Sequence, residues 1–102
     1  MNTLNEKIVE LLKGVIDPEL MVNVVDLGLV YAAKINETDH KINIDLTLTS
    51  PGCPMGDMIV EDAKQLILAN YPAYEVNIDL VWEPAWTLEN LTEKGKAALG
   101  HF

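Results

Sequence analysis

The sequence predicts an α/β fold of the two-layer α+β kind, with the element order α-β-β-α-β-α. Apolar residues recur at helical spacing over residues 4–13 and 55–70, which predicts two long helices. Apolar and polar residues alternate over residues 41–49, which predicts a strand with one buried face. The economical packing places the helices on one face of a small mixed sheet of three to four strands. A chain of 102 residues is long enough for one such domain, residues 1–102.

The first helix has a recognisable start. Thr3 and Glu6 have the spacing of a capping box, with Thr3 at the N-cap. Leu4, Ile8 and Leu11 then follow at helical spacing. We expect a helix from about residue 4 to Lys13, closed by the glycine that follows.

The motif DPEL, residues 17–20, comes next. Asp17 is a good N-cap and Pro18 suits the first helical position. Because residues 22–25 are typical of a strand, only about one turn of helix fits here. By itself, Asp17 is most simply a cap. Gly28 is expected at a bend or at a point where two backbone segments approach each other closely.

Two strands are predicted over residues 29–35 and 41–49, joined by a polar hairpin loop at residues 37–40. In the second strand the isoleucines and leucines share one face. Thr47 and Thr49 lie on the other face, at the end that leads into the only cysteine.

The second half of the chain continues the pattern. The predicted buried face of the helix over residues 55–70 consists of Met55, Met58, Ile59, Ala63, Leu66 and Ile67. Trp82 alternates with Val76, Ile78 and Leu80 along a third strand, so we expect it in the core. Trp86 follows Pro84 outside that alternation and is expected to cover a site or a partner surface. Thr92 is expected to cap a last helix ending at Leu99 and Gly100.

Charge and composition exclude several function classes. The chain has 16 acidic residues, 7 lysines and no arginine, with a formal net charge of -9. Nucleic acids and anionic membranes are bound through clustered Lys and Arg, so neither is an expected partner. No apolar run is long enough to cross a membrane and the N-terminus does not resemble a signal peptide, so we expect a cytoplasmic protein. A single cysteine excludes an internal disulfide.

That cysteine, Cys53, occupies a constrained position in TLTSPGCP, residues 47–54. Pro54 suits the first position of the following helix, which places Cys53 at or beside its N-cap. The unpaired N–H groups and the helix dipole favour a thiolate there. Neighbouring acids such as Asp17, Glu19 or Asp57 would instead keep the thiol protonated until a cation arrives. The alternative is a small buried cysteine with no chemical role.

Five segments of the chain resemble one family. They are VIDPEL (15–20), VVDLGLVY (24–31), LTLTSPGCP (46–54), VWEPAW (81–86) and LTEKGKAALG (91–100). In this order and spacing the sequence resembles the small metal-sulfur (iron–sulfur) cluster assembly domain family of SufT-like and PaaD-like proteins. The sequence does not show the cysteine-rich tail of PaaD-like members, which favours the SufT-like group.

The resemblance implies an accessory role in assembling iron–sulfur clusters or delivering them to client proteins. It implies iron or an iron–sulfur cluster as a transient cofactor, and assembly proteins and apo client proteins as partners. The implied metal or cluster contacts are Cys53, Asp17 and Glu19, and the expected supporting residues are Thr47, Thr49, Asp26 and Trp86.

Three functional hypotheses remain at this stage. The first is a carrier or adaptor with Cys53 as the contacting thiolate. The second is an enzyme with Cys53 as nucleophile, helped by Asp17 or Glu19, although no base is obvious in the sequence. The third is a pure interaction module with a structural cysteine. Since one thiolate offers too few ligands for a cluster, we also expect a weak or moderate homodimer, or a shared site with a client.

Overall fold

A computed structural model describes residues 4–18, 20–49 and 56–100 of the chain. Their elements, in chain order, are helix α1 (Glu6–Leu12), strands β1 (Ile16–Asp17), β2 (Val22–Asn23), β3 (Val30–Asn36) and β4 (Lys41–Leu46), helix α2 (Gly56–Asn70), strand β5 (Glu75–Leu80), a short 3-10 helix (Leu88–Asn90) and helix α3 (Glu93–Leu99). The predicted order is confirmed, with a small additional hairpin, β1–β2, between α1 and β3. No helix among the described residues is long and apolar enough to cross a membrane.

The main sheet is mixed, as predicted. Its strand order is β3-β4-β5. β3 and β4 are antiparallel and joined by a turn at residues 37–40, whereas β4 and β5 are parallel. Parallel neighbours require a crossover, and α2 supplies it. The ends of β4 and β5, Leu46 and Leu80, are therefore neighbours at the same edge of the sheet.

The core lies between this sheet and the first two helices. α1 and α2 contact each other, and α1 also contacts β3 while α2 contacts β5. The fully buried side chains from these elements include Ile8, Leu12, Ile42, Ile44, Leu46, Ile59 and Ile67. The predicted alternation of β4 is confirmed up to Leu46. Beyond it, Thr47 and Leu48 are both buried, because the chain there passes between other segments.

Helix α1 starts later than predicted, and its N-cap is Asn5. The Asn5 Oδ1 atom accepts hydrogen bonds from the backbone N–H groups of Lys7 at 3.0 Å and Ile8 at 3.2 Å. The Asn5 N–H donates to the Ala33 carbonyl at 2.8 Å, and Leu4 forms a bridge with Ala33. This pairing with β3 keeps residues 4 and 5 extended, so the helix cannot begin before Glu6. Thr3 lies outside the described residues.

The described residues of the DPEL motif form the predicted single capped turn, which here connects the two strands of a hairpin. β1 and β2 pair antiparallel, with Asp17 opposite Val22. The Asp17 carbonyl accepts from the Met21 N–H at 2.7 Å, and its Oδ1 atom accepts from the Leu20 N–H at 3.3 Å. Asp17 thus caps a single turn, because the chain must reverse to bring Val22 back beside it.

Three residues of the predicted buried faces are exposed. Leu80 is 37% exposed, Trp82 is 40% exposed and Met58 is 48% exposed. β5 ends at Leu80, so the alternation that predicted a buried Trp82 extends beyond the sheet. Met58 lies in the first turn of α2, whose buried residues are Gly56, Ile59, Ala63 and Ile67. Met55 lies outside the described residues.

The C-terminal segment, residues 81–100, packs back onto the turn that follows β2. Thr92 caps α3 by accepting from the Gly95 N–H at 3.1 Å, and Gly100 ends it in the left-handed conformation, as predicted. Gly28 has a φ of 75°, and a Cβ atom there would lie 2.1 Å from the Asn90 carbonyl oxygen. Both expectations for Gly28, a bend and a close backbone approach, are therefore confirmed.

Candidate functional site

Three segments meet where the parallel strands end. The Val81 N–H donates to the Leu46 carbonyl at 2.9 Å, and the Thr47 N–H donates to the Leu29 carbonyl at 2.8 Å. The ends of β4 and β5 thus lie beside the residue that precedes β3. We call this line of residues, Leu29, Thr47 and Val81, the carboxyl edge. Ligands of α/β proteins commonly bind at such an edge.

The carboxyl edge leads into the segment that carries Cys53. A Cβ atom on Gly56 would lie 2.6 Å from the Leu48 Cδ1 atom, so the start of α2 packs directly against the residues that follow β4. The two ends of the segment that joins β4 to α2 are therefore in contact. Cys53 and Glu19 lie outside the described residues, so the position of Cys53 at the start of a helix and its closeness to Asp17 stay predictions.

Thr47 and Thr49 follow β4 at this edge. Thr47 is 1% exposed, and within the described part of the chain its Oγ1 atom has no hydrogen-bond partner. A buried hydroxyl without a partner costs about 1–3 kcal/mol, which is uncommon in native structures. Thr49 is half-buried. Thr47 is therefore the predicted supporting residue whose environment is most unusual.

Asp17 is placed by the β1–β2 hairpin and is 3% exposed. The bond from the Val24 N–H to the Val15 carbonyl at 2.9 Å continues the pairing of the hairpin beyond its two strands, and α3 contacts β2. Among residues 4–18, 20–49 and 56–100, no three His, Cys, Asp or Glu side chains lie close enough together to hold a metal ion. A metal site that includes Asp17 therefore needs ligands from beyond these residues.

Asp26 joins the turn after β2 to the C-terminal segment. Its carboxylate accepts from the Asn23 amide at 2.8 Å and from the Thr92 hydroxyl at 2.8 Å. Burial acts to raise the pKa of Asp26, but these two hydrogen bonds and the nearby Lys94 and Lys13 outweigh it and lower the pKa below its usual range. Asp26 is thus a structural carboxylate that is ionised at neutral pH.

The lowered pKa of Asp26 predicts an acid-sensitive contribution to stability. Folding favours the ionised form of Asp26. The stabilisation by its carboxylate is therefore fully present above the pKa of Asp26 in the unfolded chain, about 3.9. It is lost as the pH falls through the lower pKa of the folded protein. We expect Asp26→Asn to lower the free energy of unfolding by about 1–2 kcal/mol at pH 7 and by much less near pH 2. Urea unfolding at the two pH values measures the difference, and an equal loss at both would contradict the assignment.

Trp86 also holds the C-terminal segment in place. Its indole Nε1–H donates to the Leu27 carbonyl at 2.6 Å, and its ring packs against the core. The expectation that Trp86 lies outside the strand is confirmed. Its contact, however, is with the turn that contains Asp26. The backbone of residues 26–29 therefore has direct contacts with two predicted supporting residues, Thr47 and Trp86, and with the Thr92 cap.

Sequence reasoning missed Tyr31 and Asn90. The Tyr31 hydroxyl donates to the Pro84 carbonyl at 2.7 Å and accepts from the Asn90 amide at 3.2 Å. They line an open groove of about 520 Å³, which also contains Gly28, Val30, Asp45, Val81, Glu83, Pro84. We call this the outer groove. Tyr31 is more than 50 positions away in the chain from both Pro84 and Asn90, so no local pattern indicates the groove.

Comparison with known proteins identifies the family. A family model described as "Iron-sulfur cluster assembly protein" matches residues 5–79. The Fe-S protein maturation auxiliary factor SufT of Staphylococcus aureus is 41% identical over 87 residues, covering 84% of this chain and 97% of that protein. The factor YitW of Bacillus subtilis, with the same description, is 39% identical and covers 95% of this chain and 94% of its own.

A solved structure agrees with the fold. The crystal structure of a domain of unknown function, DUF59, from Bacillus anthracis has 42% sequence identity and a TM-score of 0.87, covering 93% of this chain and 90% of that one. The family match spans all elements from α1 to β5, and the full-length likeness to SufT and YitW extends it over most of the chain. This chain belongs to the iron–sulfur cluster assembly protein family.

Proposed function

We propose that this protein is an auxiliary factor in the maturation of iron–sulfur proteins and acts as a carrier or adaptor rather than a catalyst. The observation that supports this most directly is the likeness to relatives named Fe-S protein maturation auxiliary factors over almost their whole length.

Cys53 is proposed as the thiolate that contacts iron or an iron–sulfur cluster, which is the cargo. Cys53 precedes Gly56 by three residues, so covalent geometry keeps their Cα atoms within about 11 Å. The N-terminal end of a fifteen-residue helix favours a thiolate nearby. Asp17 and Glu19 are proposed as oxygen ligands from the β1–β2 hairpin. The burial of Asp17 supports this, since a hydrogen-bonded hairpin holds its carboxylate in a fixed position.

The remaining ligands are proposed to come from a second polypeptide. Iron–sulfur clusters usually take four cysteine ligands, and one chain supplies one. Transient sharing with an apo client or an assembly protein fits a delivery role, because the client's cysteines can replace Cys53 as transfer proceeds. A homodimer with two Cys53 thiolates is the alternative arrangement, and the two are distinguished by mass measurements with and without ferrous iron.

Removing the thiol tests the role of Cys53. Wild type, Cys53→Ser and the control Ser50→Ala, which lies in the same connection, are incubated anaerobically with ferrous iron and sulfide and then desalted. We expect Cys53→Ser to retain at least about tenfold less iron than wild type and to lose the visible absorbance, because a ligand has been removed. Ser50→Ala should behave as wild type. Equal iron retention by all three proteins would show that Cys53 is not a ligand.

A cellular measurement tests the function itself. In a strain that lacks this protein, the activities of iron–sulfur enzymes should fall while those of enzymes without clusters stay normal. Wild type should restore them, and Cys53→Ser should not. Full restoration by Cys53→Ser would favour a pure interaction module, and normal iron–sulfur enzyme activities without the protein would refute the proposed function.

A further inference from the structure

The polar face of the paired strands β4 and β5 changes in charge from one end to the other. Three pairs of residues lie opposite each other on this face. The first pair, Lys41 and Glu75, has opposite charges, and the second, Asn43 and Asn77, is joined by an amide hydrogen bond of 3.4 Å. The third pair, at the carboxyl edge, is Asp45 and Asp79, which have the same charge. Like charges directly opposite each other on neighbouring strands destabilise a sheet.

In the described part of the chain, no ion pair involves this third pair. The one ion pair there joins Lys13 to Glu10 on α1. Lys41 lies at the opposite end of β4, and Lys34 on β3 lies opposite Asn43 rather than Asp45. Glu83 adds a further exposed carboxylate where the chain leaves β5. The sheet is therefore complementary in charge at one end and repulsive at the other.

The repulsive end opens into the outer groove. Asp45 and Glu83 both line it, and its other walls include the apolar surfaces of Val30, Val81 and Pro84. Such a groove combines negative charge with apolar contact area, which suits the aliphatic stem and ammonium of lysine, or an arginine.

We propose that the outer groove is a docking surface for a basic segment of a partner polypeptide. A lysine or arginine of that segment binds Asp45, whose neighbour on β5 is Asp79, and its apolar side chains contact Val81 and Pro84. The proposal rests on the proposed function for the partner's role, a client or assembly protein brought to the carboxyl edge. A second copy of this chain is a poor occupant, since it would bring acidic residues against the acidic groove.

The assignment makes an unusual pair of predictions for Asp79→Asn. Removing one charge of a like-charged pair should raise the thermal unfolding midpoint by about 2–4 °C, because the repulsion is relieved. The same change should weaken binding of a basic probe about fivefold, as expected for the loss of one exposed charge pair. A residue with only a structural role would not stabilise the fold and weaken binding together.

The probe is a short synthetic peptide of alternating lysine and leucine, titrated into the isotopically labelled full chain while backbone amide shifts are recorded. The matched control variant is Glu75→Gln, the same kind of change on the same strand at the complementary end. We expect shifts at residues 30–31, 45–47 and 79–84, less than a twofold effect of Glu75→Gln, and no shifts with a peptide in which glutamine replaces lysine.

Four results would overturn the proposal. The first is that shifts spread equally over acidic positions elsewhere, and the second is that Glu75→Gln weakens binding as much as Asp79→Asn. The third is that the glutamine peptide binds as tightly as the lysine peptide. The fourth is that groove shifts depend on protein concentration without any peptide, which would assign the groove to a second copy of the chain. The peptide titration does not involve iron. A failure of the proposed function in the iron and cellular measurements is therefore distinguishable from a failure of this surface.

Discussion

Replacing Gly28 by alanine is expected to lower the free energy of unfolding by about 3–5 kcal/mol, a large fraction of the stability of a domain of this size. Two costs add. The backbone at Gly28 has a φ of 75°, which disfavours any residue with a Cβ atom. The new Cβ atom would also lie 2.1 Å from the Asn90 carbonyl oxygen, a backbone atom that can move only if the C-terminal segment moves. Urea unfolding measures the loss.

Gly100 provides the matched control. Its φ of 71° is almost the same, but a Cβ atom there would have nothing within 4 Å. Gly100→Ala should therefore cost only the conformational part, about 1 kcal/mol. The difference between the two variants isolates the contact with Asn90. If both alanines cost the same, the close approach of Gly28 to the C-terminal segment does not stabilise the fold.

The two tryptophans are expected to contribute differently to stability. The sequence pattern predicted Trp82 as the core residue, but the structure indicates that Trp86 contributes more. Trp86→Ala should lower the free energy of unfolding by about 3 kcal/mol, because it removes packing against the core and leaves the Leu27 carbonyl without its indole donor. Trp82→Ala should cost less than about 1 kcal/mol, because Trp82 is 40% exposed and lies beyond the end of β5.

Unfolding of both variants, with Trp86→Phe as a third, checks this. The phenylalanine keeps most of the ring but cannot donate to Leu27, so it should fall between wild type and Trp86→Ala. A larger loss for Trp82→Ala than for Trp86→Ala would restore the interpretation of Trp82 as a core residue and contradict the arrangement of the C-terminal segment.

Periodicity located most elements of this fold but could not assign their ends. The alternation over residues 41–49 correctly predicted β4 and its buried face. The same kind of alternation over residues 76–82 continued past the sheet, so Trp82 was wrongly assigned to the core. A pattern records which side a residue faces, whereas burial also requires that another element covers that side. The prediction that Met58, in the first turn of α2, is buried was wrong for the same reason.

The sequence by itself determined the fold class, the capped and glycine-terminated α3, the special conformation at Gly28 and the family to which the chain belongs. These depend on local rules, such as the need for a glycine where φ is positive, or on motifs that survive in order and spacing. Only the tertiary structure decided that Asp17 lies in a hairpin, that Asp26 and Trp86 hold the C-terminal segment, and that Asp45 faces Asp79. Each of these depends on contacts between different segments of the chain. Strand register and packing between segments produce no periodic pattern in the sequence.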